Sequence, residues 1–354
     1  MSLRSAEVDL SAVRHNVRYL RGRLAGGVRL IAVVKADAYG HGVQAVARTA
    51  LEAGAWGLAV STLEEAAALR GMIEPDRLLA LGGLAPADAF DAAAAGCAVT
   101  CHSHQLADAL EAAPPGEGRL PVHLKVDTGM GRLGCSVSAA GELARRLARS
   151  SRLRLAGIYT HFAAADTDEA FTREQFDRFS RLLDGLEVAP GLRHAANSAA
   201  TLRYPEMGLD AVRCGIALYG CEWPDLRPAL RLTATITQVK ELPPGSSVGY
   251  GRTWIASRPA RVATVAIGYE DGLLRSRSGR GEVVVAGRRA PLIGRVSMDQ
   301  ITLDVTDVPE AEAGEAVTLI GDGISAEQVA EWSGTISYEV LTALGCRVRR
   351  THRE

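Results

Sequence analysis

The sequence has no excess of charge of either sign. Forty Lys and Arg stand against 41 Asp and Glu in 354 residues, a formal net charge of −1. That balance leaves no electrostatic footprint for nucleic acid or for an anionic membrane. No apolar run approaches the roughly 18–20 residues that a membrane span needs. The opening residues, MSLRSAEVDL, lack the apolar core of a signal peptide. The six cysteines (Cys97, Cys101, Cys135, Cys214, Cys221 and Cys346) are scattered and adopt no zinc-ligand spacing. They read as reduced, mainly buried thiols, which points to the cytoplasm. No carboxylate cluster accompanies the histidines, so nothing calls for a metal. Disordered linkers, low-complexity tracts and solenoid repeats are also missing.

What is present is a recurring unit. The hydrophobic fraction, 47%, suffices for sizeable cores, and the length suits two domains of unequal size. From residue 28 to about 220, short apolar runs end at polar residues and Ala-rich helical segments follow. The runs are RLIAVVK (29–35), WGLAVS (56–61), RLLALG (77–82), CAVTCH (97–102), VHLKVD (122–127), LAGIYTH (155–161), LRHAANS (192–198) and VRCGIALYG (212–220). The segments between them carry apolar residues at helical spacing, often closed by Gly. Eight such units predict a (β/α)8 TIM-like barrel, with a doubly wound open sheet as the competing reading. After about residue 226 the helices give way to alternating or β-branched runs such as RLTATITQVK, ARVATVAIGY and GEVVVAGRRAPLIG. The expected organisation is therefore α/β followed by β: a barrel over 1–225 and a mainly-β domain over 226–354. The strand-like residues 1–10 are candidates to pair with the second domain. Asp9 or Ser11 would cap the helix behind them.

In a barrel, polar residues at the C-terminal ends of strands converge on one face. Here those positions supply Lys35, His102, Lys125 with Asp127, His161, Asn197 with Ser198, and Arg213 with Tyr219. The stretch VVKADAYGHG poses the main question, because its lysine is either a surface residue at a strand tip or a reacting amine. Two lysines, several nitrogen bases and an Asn-Ser-Ala-Ala turn suit an aldehyde cofactor with a phosphate. A strand-end lysine would form a Schiff base with it. Hydroxyls and backbone N–H groups near Ser198 and Gly215 would hold the phosphate.

The motifs VKADAYGHG (34–42), HLKVDTGMGRLG (123–134), YTHFA (159–163), HAANSAA (194–200), VRCGIALYG (212–220), SVGYGRTW (247–254), IGYEDG (267–272), GRVSMDQ (294–300) and GTISYEVL (334–341) run in order through nearly the whole chain. With them the sequence resembles the fold-type III pyridoxal-phosphate enzymes, and within these the alanine racemase family. The resemblance implies that Lys35 anchors pyridoxal 5'-phosphate and acts as the base on one face of the substrate. Tyr250 would be the base on the opposite face. A free tyrosine, with a pKa near 10, is a poor base at neutral pH, so nearby positive charge would have to lower it. Arg213 would donate to the pyridine nitrogen and keep it unprotonated, which weakens the ring as an electron sink. His161 and His194 would orient Arg213 and Tyr250. Tyr39, Asn197 or Ser198, Gly215, Ile216 and Tyr338 would bind the phosphate, and Arg132 and Met298, beside Asp299, the substrate carboxylate. Lys125 matches a position that the family carbamylates, pairing the carbamate with the arginine seven residues on, here Arg132. An ordinary lysine paired with Asp127 is the alternative. Arg275, Arg295, Asp166 and Ile336 fall where the family lines the substrate entrance.

Three departures stand out: Ser297 where many relatives have cysteine, Glu270 where alanine is usual, and the segment from Cys221 to Pro224. They leave serine or another small amino acid open as substrate. A decarboxylase on the same architecture would place a carboxylate, not Arg213, at the pyridine nitrogen. A non-enzymatic cofactor carrier would lack the second domain. The resemblance further implies a homodimer in which the second domain of one subunit completes its partner's barrel site, and a role in supplying D-alanine for peptidoglycan.

Overall fold

The computed structural model describes residues 3–114 and 118–354. The chain divides into two compact units, each built by a different strand pattern. One holds residues 14–38 and 43–218, the other residues 1–13, 39–42 and 219–354.

The first unit is the expected barrel. Its strands are numbered in chain order after β1 (Arg4–Asp9), which belongs to the other unit: β2 (Arg29–Val33), β3 (Gly57–Val60), β4 (Leu78–Ala80), β5 (Ala98–Cys101), β6 (Leu120–Asp127), β7 (Leu153–Tyr159), β8 (Leu192–His194) and β9 (Ala211–Cys214). Each pairs in parallel with the next, and β9 pairs with β2 to close the ring. Closure excludes the open-sheet alternative. β3, β4, β5 and β9 are buried along their full length, as expected for strands covered on both faces. The helices that follow use side-chain caps. Ser103, Ser136 and Asp168 accept from the first turns of the helices His104–Ala112, Val137–Arg149 and Glu169–Asp184. The last helix, Ser198–Arg203, has six residues, and the runs predicted over 192–198 and 212–220 are strand only over β8 and β9.

The second unit is a ring of antiparallel strands. It comprises β10 (Leu230–Leu242), β11 (Ala260–Val265), β12 (Glu282–Val285), β13 (Arg288–Ile293), β14 (Ile301–Asp304) and β15 (Ala316–Ile320). Their order is β10–β11–β14–β13–β12–β15, and β15 returns to β10. β10 serves two neighbours because it is long: its first half pairs with β15 and its second half with β11, across an irregularity at Ile236–Gln238. β1 lies antiparallel to β10 and parallel to the last strand, β16 (Arg349–Arg353). Asp9 accepts from the Ala12 N–H at 3.0 Å and the Ser11 hydroxyl at 2.6 Å, so it caps the first helix. A buried carboxylate, Asp271, ties β1 to the C-terminal segment by holding Arg4 and Arg347, each at 2.9 Å.

All six cysteines are free, and only Cys346 is exposed. Among the described residues no helix is long and apolar enough to cross a membrane.

Candidate active site

The barrel gathers its polar residues at the C-terminal ends of its strands, and Arg213 on β9 is their centre. Its side chain is buried, and among the described residues no carboxylate pairs with it. Nη1 donates to Nδ1 of His194 at 2.7 Å. Nη2 faces the carbonyls of Thr160 at 2.8 Å and Ala195 at 3.0 Å, and Nδ1 of His161 at 3.3 Å. Cζ lies 5.0 Å from the centroid of the Tyr159 ring. Nε makes no hydrogen bond among the described residues, which leaves one donor of a fixed guanidinium available. Burial draws the group down to about 10, so it remains a cation at neutral pH.

That cation sets the protonation of its neighbours. A guanidinium can only donate, so Nδ1 of His194 must accept. Neutral His194 then carries its proton on Nε2 and donates it to Nδ1 of His123, 2.9 Å away. The His194 ring stacks on Tyr159 at 4.8 Å between centroids, and Tyr159 Oη is fixed 2.8 Å from Thr100 Oγ1. Burial, followed by the Arg213 charge, holds His161 and His194 well below the usual histidine range and takes His123 down to about 3. Lys125, also buried, sits with Nζ 4.5 Å from the centroid of the Tyr159 ring. Burial, then Arg213 and Arg132, push its amine well below the ordinary lysine value. Asp127 does not pair with it within ion-pair distance among the described residues. It accepts instead from the N–H groups of Gly129 at 2.9 Å and Gly131 at 3.1 Å.

Lys35 follows β2 and begins a turn that the sequence did not foretell. Ala36, Asp37, Ala38 and Tyr39 all have φ between 52° and 54°, a left-handed turn made without glycine. Such a conformation costs roughly 1–2 kcal/mol per residue and persists where neighbours over-determine it. Glu65 is one of those neighbours. One of its oxygens accepts from the Ala36 N–H at 2.6 Å, and the other from the Ser61 N–H at 2.6 Å. Asp37 Oδ1 accepts from the Val43 N–H at 2.8 Å, which closes the far end. Lys35 is half-buried, and desolvation followed by the Arg132 charge lowers its pKa against the opposing pull of Glu65. Arg132 itself is exposed.

Near the ends of β8 and β9, Ser198 Oγ accepts from the Gly215 N–H at 2.9 Å and the Ala217 N–H at 3.5 Å. Asn197 Oδ1 caps the short helix through Ala200 N at 3.0 Å. Ile216 is buried in the turn that follows. His102 points elsewhere, to the Leu84 carbonyl at 3.4 Å, and Asp166 is exposed.

The remaining candidates lie in the other unit. There Tyr39 is buried, which pushes its hydroxyl up to about 12, and its ring stands 6.0 Å from Tyr338 and 4.8 Å from Tyr219. Tyr250 is 73% exposed and Met298 is 50% exposed. Tyr250 sits in a turn between Gly249 (φ 70°) and Gly251 (φ 73°), positions where a side chain would be strained. A Cβ on Gly251 would also lie 3.2 Å from Cζ of Arg295. Met298 and Ser297 are held by backbone bonds from Glu270 N at 3.1 Å and Tyr269 N at 3.0 Å. Asp299 pairs with Arg347 at 2.8 Å. Ile336 is exposed just before the helix Ser337–Thr342, and Arg275 opens the turn Arg275–Arg277.

Comparison with known proteins decides the family. A model described as alanine racemase, N-terminal domain, matches residues 8–222, and one for the C-terminal domain matches residues 229–352. The chain belongs to the alanine racemase family. Alanine racemase of Desulfovibrio desulfuricans is 42% identical over 99% of this chain and 98% of its own. The crystal structure of alanine racemase from D-cycloserine-producing Streptomyces lavendulae superimposes with a TM-score of 0.92 at 37% identity, covering 100% of this chain and 98% of that one. Alanine racemase from Bartonella henselae, solved with covalently bound pyridoxal phosphate, superimposes with a TM-score of 0.90 at 29% identity, covering 100% of both chains. Alanine racemases are pyridoxal-phosphate enzymes, and the donors of this barrel fit that group: an amine made easier to deprotonate, a free guanidinium N–H and the Ser198 hydroxyl. His123, Tyr159 and Glu65 were not singled out from sequence. His123 and Tyr159 lie inside quoted motifs, two residues from Lys125 and His161.

Burial of neutral His123, His161 and His194 predicts a direction for acid stability. Their folded pKa values lie below the unfolded value near 6.5, so the unfolded chain binds more protons between the two. Their contribution is complete above about pH 6.5 and is lost as pH falls toward the folded values. Each proton taken up contributes a slope of about 1.4 kcal/mol per pH unit. Urea unfolding at pH 7.5, 6 and 5 should show the loss. A His194→Gln variant should start less stable and show a shallower decline.

Proposed function

We propose that this chain interconverts L- and D-alanine with pyridoxal phosphate held by Lys35. The observation that carries the proposal is the strand-end cluster of Lys35, Lys125 and a protonated Arg213 without a carboxylate, in a chain of this family. Pyridoxal phosphate, when bound, withdraws electrons from Cα of the amino acid and so acidifies the Cα–H bond. Lys35 Nζ would hold the cofactor and move a proton at one face of Cα. Tyr250 Oη of a partner subunit would move one at the opposite face, because inversion needs removal and return from different sides. Arg213 would present Nε to the pyridine nitrogen. As a cation with no proton to spare at neutral pH, it leaves that nitrogen unprotonated and limits how far negative charge spreads. This argues against a decarboxylase. His161 and His194 would keep the guanidinium in place.

Ser198, Gly215, Ile216, Tyr39 and Tyr338 would hold the phosphate, while Asn197 supports them by capping. Arg132 and the Met298 backbone, with Asp299 behind it, would receive the substrate carboxylate. The lowered pKa of Lys125 supports its carbamylation, since a neutral amine is what attacks carbon dioxide. The carbamate would then pair with Arg132. Exposure of Tyr250 and Met298 in a single chain supports a homodimer with shared sites. The setting we infer is the cytoplasm and the supply of D-alanine for peptidoglycan, with serine as a second substrate to examine.

In D2O with added cofactor, L-alanine should lose its optical activity and gain deuterium at Cα together. Neither change in a cofactor-loaded protein would refute the assignment. Lys35→Ala and Tyr250→Ala should each be inactive alone. Mixed after subunit exchange, they should regain about a quarter of wild-type activity, because half the dimers would carry one intact site. No recovery in verified mixed dimers would rule out shared sites. Incubation with 13C-bicarbonate should give a carbamate carbon signal that Lys125→Arg abolishes. Its absence in the wild type would leave Lys125 a plain amine.

A further inference from the structure

The helix Glu169–Asp184 turns one buried glutamine toward the end of β7. Gln175 has no solvent exposure. Its Oε1 accepts from the Ala163 N–H at 2.8 Å. Its Nε2 donates to the His161 carbonyl at 3.2 Å and to Thr128 Oγ1 at 3.4 Å. These partners settle which way the amide points, since an N–H only donates and a carbonyl only accepts. The two backbone groups are those that a parallel neighbour would use: the carbonyl of one residue and the N–H two residues on. β7 ends at Tyr159, and residues 160–163 lie outside any helix or strand. Gln175 thus supplies one rung of a ladder where the sheet has stopped.

The braced segment supports Arg213 twice. The Thr160 carbonyl accepts from Nη2 at 2.8 Å, and Nδ1 of His161 faces the same nitrogen at 3.3 Å. Thr160 Oγ1 also meets Thr128 Oγ1 at 2.8 Å, and Arg178, on the same helix as Gln175, donates to the Thr128 carbonyl at 2.9 Å. One helix therefore holds both the loop after β6 and the segment after β7. An apolar side chain would fill the same space but pair with neither backbone group. We propose that Gln175 is a positioning residue for the barrel site: it holds His161 where its Nδ1 accepts from Arg213. The guanidinium only donates, so neutral His161 carries its proton on Nε2. The kinetic consequence rests on the racemase reading given above, while the geometry does not.

With 15N-labelled histidine, NMR of the purified enzyme should show His161 as a single Nε2–H tautomer. Gln175→Leu removes both backbone bonds at similar volume and should move that signal toward the average of the two tautomers. Its kcat for alanine should fall about tenfold or more, as misplaced groups cost, with KM within about twofold of wild type. Phe179→Leu, one turn further along the same helix and equally buried, should lower Tm comparably yet leave the His161 signal and kcat as they were. An unmoved His161 signal in Gln175→Leu would overturn the proposal, as would equal effects of the two variants. A wild type that does not racemise alanine would refute the activity and leave the His161 signal to judge Gln175. If Gln175→Leu does not fold, Gln175→Glu decides. Its carboxylic acid offers both bonds and its carboxylate only the acceptor, so its rate relative to wild type should fall as pH rises. A ratio near one throughout would overturn the proposal.

Discussion

The barrel site depends on a cation buried without an anion. Arg213 is surrounded by carbonyls, two imidazole nitrogens and an aromatic face. An acidic neighbour would have neutralised it cheaply. With dipoles in that place, its charge reaches outward instead, and it is among the causes that depress His123, Lys125, His161 and His194. The histidines must then be neutral, which fixes their tautomers in one sense from Arg213 to His123. A single burial decision on β9 thus propagates through hydrogen-bond direction to β8 and β6.

The period of the strand runs made the barrel legible, and strand-end logic located Lys35, Lys125, His161, Ser198 and Arg213 without any long-range information. The scarcity of lysine was a further signal that went unread: the chain has three, and two of them stand at this face. Other features were hidden for physical reasons. His123 lies inside β6 and has no special spacing; only the three-dimensional neighbourhood of His194 gives it a role. Glu65 forms a local capping box with Thr62, while its second oxygen serves a turn 29 residues earlier, a contact that no local pattern signals. The interleaving of residues 39–42 with the strand-rich unit has no local signature, since tertiary contacts such as Arg350 to the Gly40 carbonyl create it.

The two units satisfy their charges differently. The strand-rich unit answers Asp271 with two arginines, while Arg277 has a carbonyl and an indole face in place of a carboxylate. The barrel likewise answers Arg213 with dipoles. The strand-rich unit also leaves Tyr250, Tyr269, Met298 and Ile336 partly or largely exposed, apolar area of the kind that interfaces use. A buried ion pair is a stabilising solution once formed. A cation among dipoles is an electrostatic instrument, held ready at a stability cost.

The left-handed turn after Lys35 bears on what places the amine. Nothing in Ala-Asp-Ala-Tyr favours that conformation in an isolated segment, and helix nucleation there would be right-handed. Its stabilisers come from Glu65 and Val43, beyond the strand that carries it. The segment therefore owes its shape to Glu65 of the neighbouring β/α unit and to the chain just beyond it. Paired strands alone would not place Lys35: a barrel that lacked the Glu65 carboxylate would keep its β2–β3 ladder and lose the anchor of the turn that carries the amine.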